Sequence, residues 1–82
     1  MQLLCRIETG GYEDWRRAFE AGAEGRGQAG LTLLQLWREA DDGDHVFALF
    51  EVNDRARARH YLETQGELGD GLGDPTFLRT AP

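Results

Sequence analysis

The chain of 82 residues contains no lysine and no serine, and its one asparagine is Asn53. A Schiff base, a phosphate-loop lysine and a serine nucleophile with its histidine base each require a residue type that is missing here. The one cysteine, Cys5, has no second thiol with which to form a disulfide, a zinc pair or a redox pair, which fits a reducing compartment. Long apolar runs are also lacking. The longest, Val46 to Phe50, falls far short of the roughly 20 residues a membrane helix needs. Met1-Gln2-Leu3-Leu4-Cys5 resembles a lipoprotein cleavage site, but no charged start or apolar stretch precedes the cysteine. The expectation is a cytoplasmic protein with no membrane partner. Basic charge is scarce as well: nine arginines face fifteen acids, a net charge of −6. An acidic field repels a phosphate backbone, so nucleic acid is not an expected partner.

What is present describes one small folded domain spanning 1–82. Hydrophobic residues make up 40% and charged residues 29%, a globular balance and not a disordered one.

Leu3 to Glu8 alternates, with Leu3, Cys5 and Ile7 on one side and Leu4, Arg6 and Glu8 on the other, which predicts a strand. After Thr9-Gly10-Gly11 the spacing changes. Tyr12, Trp15, Ala18, Phe19, Gly22 and Ala23 share one helical face, and Glu13 and Asp14 occupy a first turn where the helix dipole favours acids. Glycines 25, 27 and 30 are expected to end that helix. Leu31 to Glu39 reads as a second strand, Asp41-Asp42-Gly43-Asp44 as a hairpin turn, and His45 to Val52 as a third strand. Asn53 and Asp54 supply a cap for a second helix with Ala58, Tyr61, Leu62 and Gln65 inward, and with Arg55 and Arg59 outside. The glycines between Gly66 and Pro75 allow at most a loose turn of helix over 67–72, and Thr76 to Thr80 reads as a closing strand.

The order β-α-β-β-α-β predicts an α+β fold of the ferredoxin-like, split βαβ kind: a four-stranded antiparallel sheet with two helices on one face. If Cys5, Ile7, Val46, Ala48, Phe50 and Val52 face those helices, the open face presents Leu4, Leu33, Trp37, Phe47 and Leu49. That patch exceeds what monomers usually expose, and the same face of a second copy would cover it. A homodimer is therefore expected.

Four segments carry a likeness to a known family: Trp15-Arg16-Arg17-Ala18-Phe19-Glu20, Gly30 ahead of the second strand, Glu39 to His45, and Phe47-Ala48-Leu49-Phe50-Glu51-Val52-Asn53-Asp54. Across almost its whole length the chain resembles the dimeric α+β barrel superfamily, which includes the antibiotic-biosynthesis monooxygenases and many small uncharacterised proteins. After Thr64 it departs from that pattern, with glycines where members continue a helix. The resemblance implies the fold and the pairing of two sheets into a barrel. It implies no single activity, since members oxidise, isomerise, degrade haem or only bind.

Arg6, Glu8, Gln35, His45 and Glu51 fall on the same side as Trp37 and Phe47, and polar groups converging in an aromatic pocket are the usual signature of a ligand site. In the functional reading Arg6 holds an anionic or carbonyl oxygen, Glu8 or His45 moves a proton, and Trp37 stacks on a planar substrate. In the plainer one Arg6 pairs with Glu8, Glu51 or a carboxylate of the other subunit. The function expected is a homodimeric small-molecule-binding barrel, with monooxygenase-like or isomerase-like turnover of a small aromatic or carbonyl metabolite and no cofactor. The alternative is a non-enzymatic assembly or sensory module whose lumen its own side chains fill.

Other candidates fall away. Gly25-Arg26-Gly27-Gln28-Ala29-Gly30 spells the dinucleotide pattern, but a helix precedes it and a strand follows, the reverse of the required order. His60 falls nearly opposite the inward stripe, and the haem-degrading relatives' first-strand asparagine has no counterpart here. Asp41, Asp42 and Asp44, and the run Asp70-Gly71-Leu72-Gly73-Asp74, read as turns and not as calcium loops, so no metal is expected. Of Arg55, Arg57 and Arg59 only the outer two share a helix face, with Glu63 placed to pair with Arg59. Cys5 should be a buried, inert hydrophobe.

Overall fold

The computed structural model describes residues 1–67 and 72–82, with side chains over 1–64 and 72–82. Four strands, β1 (Gln2–Glu8), β2 (Leu31–Arg38), β3 (His45–Val52) and β4 (Asp74–Leu78), and three helices, α1 (Tyr12–Ala21), α2 (Ala23–Gln28) and α3 (Arg55–Glu67), make up the described elements. The strands form one antiparallel sheet in the order β2-β3-β1-β4. Because β3 is antiparallel to both β1 and β2, those two run the same way with β3 between them. By the same logic β3 and β4 are parallel and split by β1.

Leu3 lies opposite Phe50, Cys5 opposite Ala48 and Ile7 opposite Val46, so the buried positions of β1 and β3 stack in rows on one face. Leu3, Cys5, Val46, Ala48 and Phe50 are fully buried there. Each large apolar side chain so enclosed is worth about 1.5–3 kcal/mol relative to exposure. Tyr12, Trp15 and Phe19, three and four residues apart on α1, form a ladder of rings that ends on Phe50, with centroid separations of 6.0, 4.8 and 6.3 Å. Ala58 of α3 is fully buried against the same face, and Leu72 joins the core. Asp54 caps α3 as expected, its Oδ1 accepting the Arg57 backbone N–H at 3.1 Å.

The first helical segment differs from expectation. It breaks at Gly22 but resumes as α2 through Gly25 and Gly27, so the chain has three helices among its described residues instead of two. Two interior glycines cost about 1 kcal/mol each against alanine, and Arg26 offsets this by laying its guanidinium over the Phe19 ring, 3.7 Å from the centroid, where the residue is buried. A Cβ at position 22 would lie 3.0 Å from Arg26 Nη1, so glycine at the break lets that arginine in. Ala18 and Ala23 are exposed and not inward. Ala18 points about 100° away from Phe19 around the helix axis, and Ala23 lies beyond the break.

The second strand also differs. Leu33 pairs with Phe50 and Gln35 with Leu49, leaving Leu34 as an extra residue in a β-bulge. The bulge shifts the alternation by one, so Leu33 is on the helix-covered side and not on the open face where simple alternation puts it. β4 spans Asp74–Leu78 and not Thr76 to Thr80, with Pro75 inside an edge strand. Arg59 and Arg55 lie over the Phe77 ring, and among the described residues Arg59 makes no ion pair with Glu63. The inward placement of Gln65 rests on a side chain outside those described; the turn over 67–72 also lies outside the described residues apart from Glu67, which ends α3, and Leu72, as does the Asp70 run apart from its last three residues.

Candidate functional site

The uncovered face is a grid set by strand register. One row crosses all four strands as Trp37, Phe47, Arg6 and Asp74. The next contains Gln35, Leu49, Leu4 and Thr76, and a third Thr32, Glu51, Gln2 and Leu78. His45 and Glu8 lie opposite each other at the hairpin end. With Leu34 as the extra residue, Gln35 and Trp37 lie on this face alongside Leu49 and Phe47 while Leu33 lies on the other. Backbones of neighbouring members of a row are about 4.8 Å apart, so Trp37 and Phe47 occupy paired positions on adjacent strands and Arg6 takes the next position along. Trp37 remains 45% exposed and Leu78 38%, high for side chains of their size.

All seven residues read from the sequence as site-lining, Arg6, Glu8, Gln35, Trp37, His45, Phe47 and Glu51, therefore share one face. They do not form one cluster. Glu51 is six residues from His45 along β3, about 20 Å at strand rise. It accepts a hydrogen bond from Gln2 Nε2 at 2.8 Å, and its Oε1 is 3.5 Å from the amino terminus. The Gln2 bond, aided by attraction to the terminal amine, lowers the Glu51 carboxyl below its ordinary range. Arg6, Glu8 and His45 do come together, and with Gly73 and Asp74 they border a hollow of about 370 Å³. Among the described residues Arg6 makes no ion pair within the chain. Gly73 holds a positive φ of 67°, and a methyl group there would overlap the Arg6 carbonyl, so the chain passes over Arg6 only as glycine.

His45 has a second environment that sequence reasoning missed. The strand pair closes with the Glu39 N–H donating to the His45 carbonyl at 2.8 Å and the His45 N–H to the Asp42 carbonyl at 3.0 Å. That ring closure turns the Glu39 and Asp42 side chains toward the imidazole. His45 Nδ1 is 2.8 Å from Asp42 Oδ2 and 3.4 Å from Glu39 Oε2. The approach lacks hydrogen-bond geometry, and Nδ1 is buried without a hydrogen-bond partner among the described residues. The available signal was the spacing Glu39, Asp42, His45, three residues apart on either side of the turn.

A second hollow, about 480 Å³, opens on the other side of the molecule between α2 and α3, beside Ala29, Ala56, Arg57, His60 and Tyr61. His60 is exposed there, as its helical position implies. Among the described residues no helix is long and apolar enough to cross a membrane. No protein-family model matches the chain, nor does any curated protein or solved structure.

Proposed function

We propose that two copies of the chain pair through their uncovered sheet faces, and that the space between them binds a small aromatic or carbonyl-bearing molecule. The row Trp37, Phe47, Arg6 carries this reading: two aromatic residues at paired positions for a planar ligand and one cation, without an ion pair among the described residues, for that ligand's oxygen. Glu8 and His45 at the end of the same face are the groups able to move a proton in a monooxygenase-like or isomerase-like step. The strand order supports the ferredoxin-like, dimeric α+β barrel reading, since two interleaved split βαβ units leave one face of the sheet without helices. The resemblance of the four sequence segments points the same way.

Sedimentation equilibrium is expected to give twice the 9.2 kDa chain mass, and Leu49→Arg to give one chain mass with the circular dichroism retained. Titration with benzoate and benzaldehyde should quench tryptophan emission, less so in Trp37→Phe and Arg6→Ala. A single-chain mass for the wild type, or quenching indifferent to both substitutions, overturns the reading.

A further inference from the structure

We propose that the hairpin between β2 and β3 is a divalent-metal site, with His45 Nδ1, Asp42 Oδ2 and Glu39 Oε2 as ligands to zinc or a neighbouring first-row ion. All three donor atoms lie within 4.8 Å of one another. Donors about 2.0–2.2 Å from a tetrahedral ion stand about 3.3–3.6 Å apart, and the His45–Glu39 separation of 3.4 Å already falls in that range. The His45–Asp42 separation of 2.8 Å needs to open by about half an ångström to admit the ion.

The imidazole supplies the independent indication. A buried ring nitrogen usually has a hydrogen bond, and Nδ1 has none among the described residues although two carboxylates face it. A cation between the three groups would satisfy the nitrogen lone pair and both acids together. Asp42 is oriented for single-oxygen ligation, because its Oδ1 accepts the Asp44 N–H at 3.2 Å and Oδ2 is left toward the ring. The Glu39 and Asp42 side chains are 45% and 52% exposed, which gives the ion a path from solvent and leaves a coordination position to water. One nitrogen and two carboxylates suit zinc; calcium seeks six to eight oxygens and would find too few. All donors come from one hairpin, so the site does not depend on the pairing of two sheets.

The test uses the whole chain, stripped with a chelator and titrated with zinc against a chromophoric competitor. One zinc per chain is expected, with affinity lowered about tenfold to a hundredfold by Asp42→Asn and by Glu39→Gln and lost in His45→Ala. His60→Ala should leave it unchanged, and nitrogen NMR should show the Nδ1 resonance of His45 shifting on metal addition while that of His60 does not. Absence of saturable uptake with metal in excess, uptake indifferent to both carboxylate substitutions, or displacement of zinc by equal calcium would each overturn the assignment.

Discussion

Cys5 shows how a single position in the sheet sets chemistry. It is fully buried between strands, and burial pushes its thiol up to about 12, because a thiolate there would lose its hydration without gaining a partner. The thiol should resist alkylation by iodoacetamide at neutral pH and react only as fast as the protein opens. The folded value exceeds the unfolded one, so the stability it represents is complete below the unfolded thiol's ordinary range near 9 and is lost as pH rises toward 12. Denaturant midpoints measured from neutral to alkaline pH should fall over that window, and less steeply in Cys5→Ala. Glu51 works in the opposite sense. Its lowered carboxyl adds stability above the ordinary glutamate range, and that contribution disappears as the pH falls through the folded value.

At the scale of elements, the sequence spoke clearly where periodicity is undisturbed. β3 runs from His45 to Val52 as read, because eight residues alternate without interruption and turn chemistry bounds the strand on the hairpin side. The face of Arg6, Glu8, Trp37 and Phe47 follows from the same alternation. Simple alternation misplaces Leu33 because a bulge leaves no compositional mark in a run such as Leu31-Thr32-Leu33-Leu34, where any residue could be the extra one. The persistence of helix through Gly25 and Gly27 was hidden for another reason. It depends on Arg26 meeting Phe19, a contact between helices that local propensity cannot register. Deleting Leu34 should give a straight strand that still presents Gln35 and Trp37 beside Leu49 and Phe47. The shortened chain is expected to keep its circular dichroism and to pair like the wild type in sedimentation. Asp54→Ala should cost about 1 kcal/mol in denaturant melts through loss of the α3 cap.

For the molecule as a whole, the decisive contrast is between one sheet face sealed by an aromatic ladder and another that leaves Trp37 and Leu78 in water. If a second copy covers the open face, the melting temperature rises with protein concentration by mass action, whereas a monomer melts independently of it. Each chain has a net charge of −6, so added salt should tighten the pairing by screening two like-charged bodies. Differential scanning fluorimetry across a dilution series, at low and high salt, checks both.

The two rims of the sheet are its least inviting surfaces. On one, Pro75 has no amide hydrogen to offer, and on the other the extra residue at position 34 buckles the backbone out of line. A neighbouring chain seeking to add a strand would find an interrupted template at either border. Growth into ribbons or fibrils is thereby discouraged, and the proposed pairing would use the broad flat surface, where association would close after a single encounter.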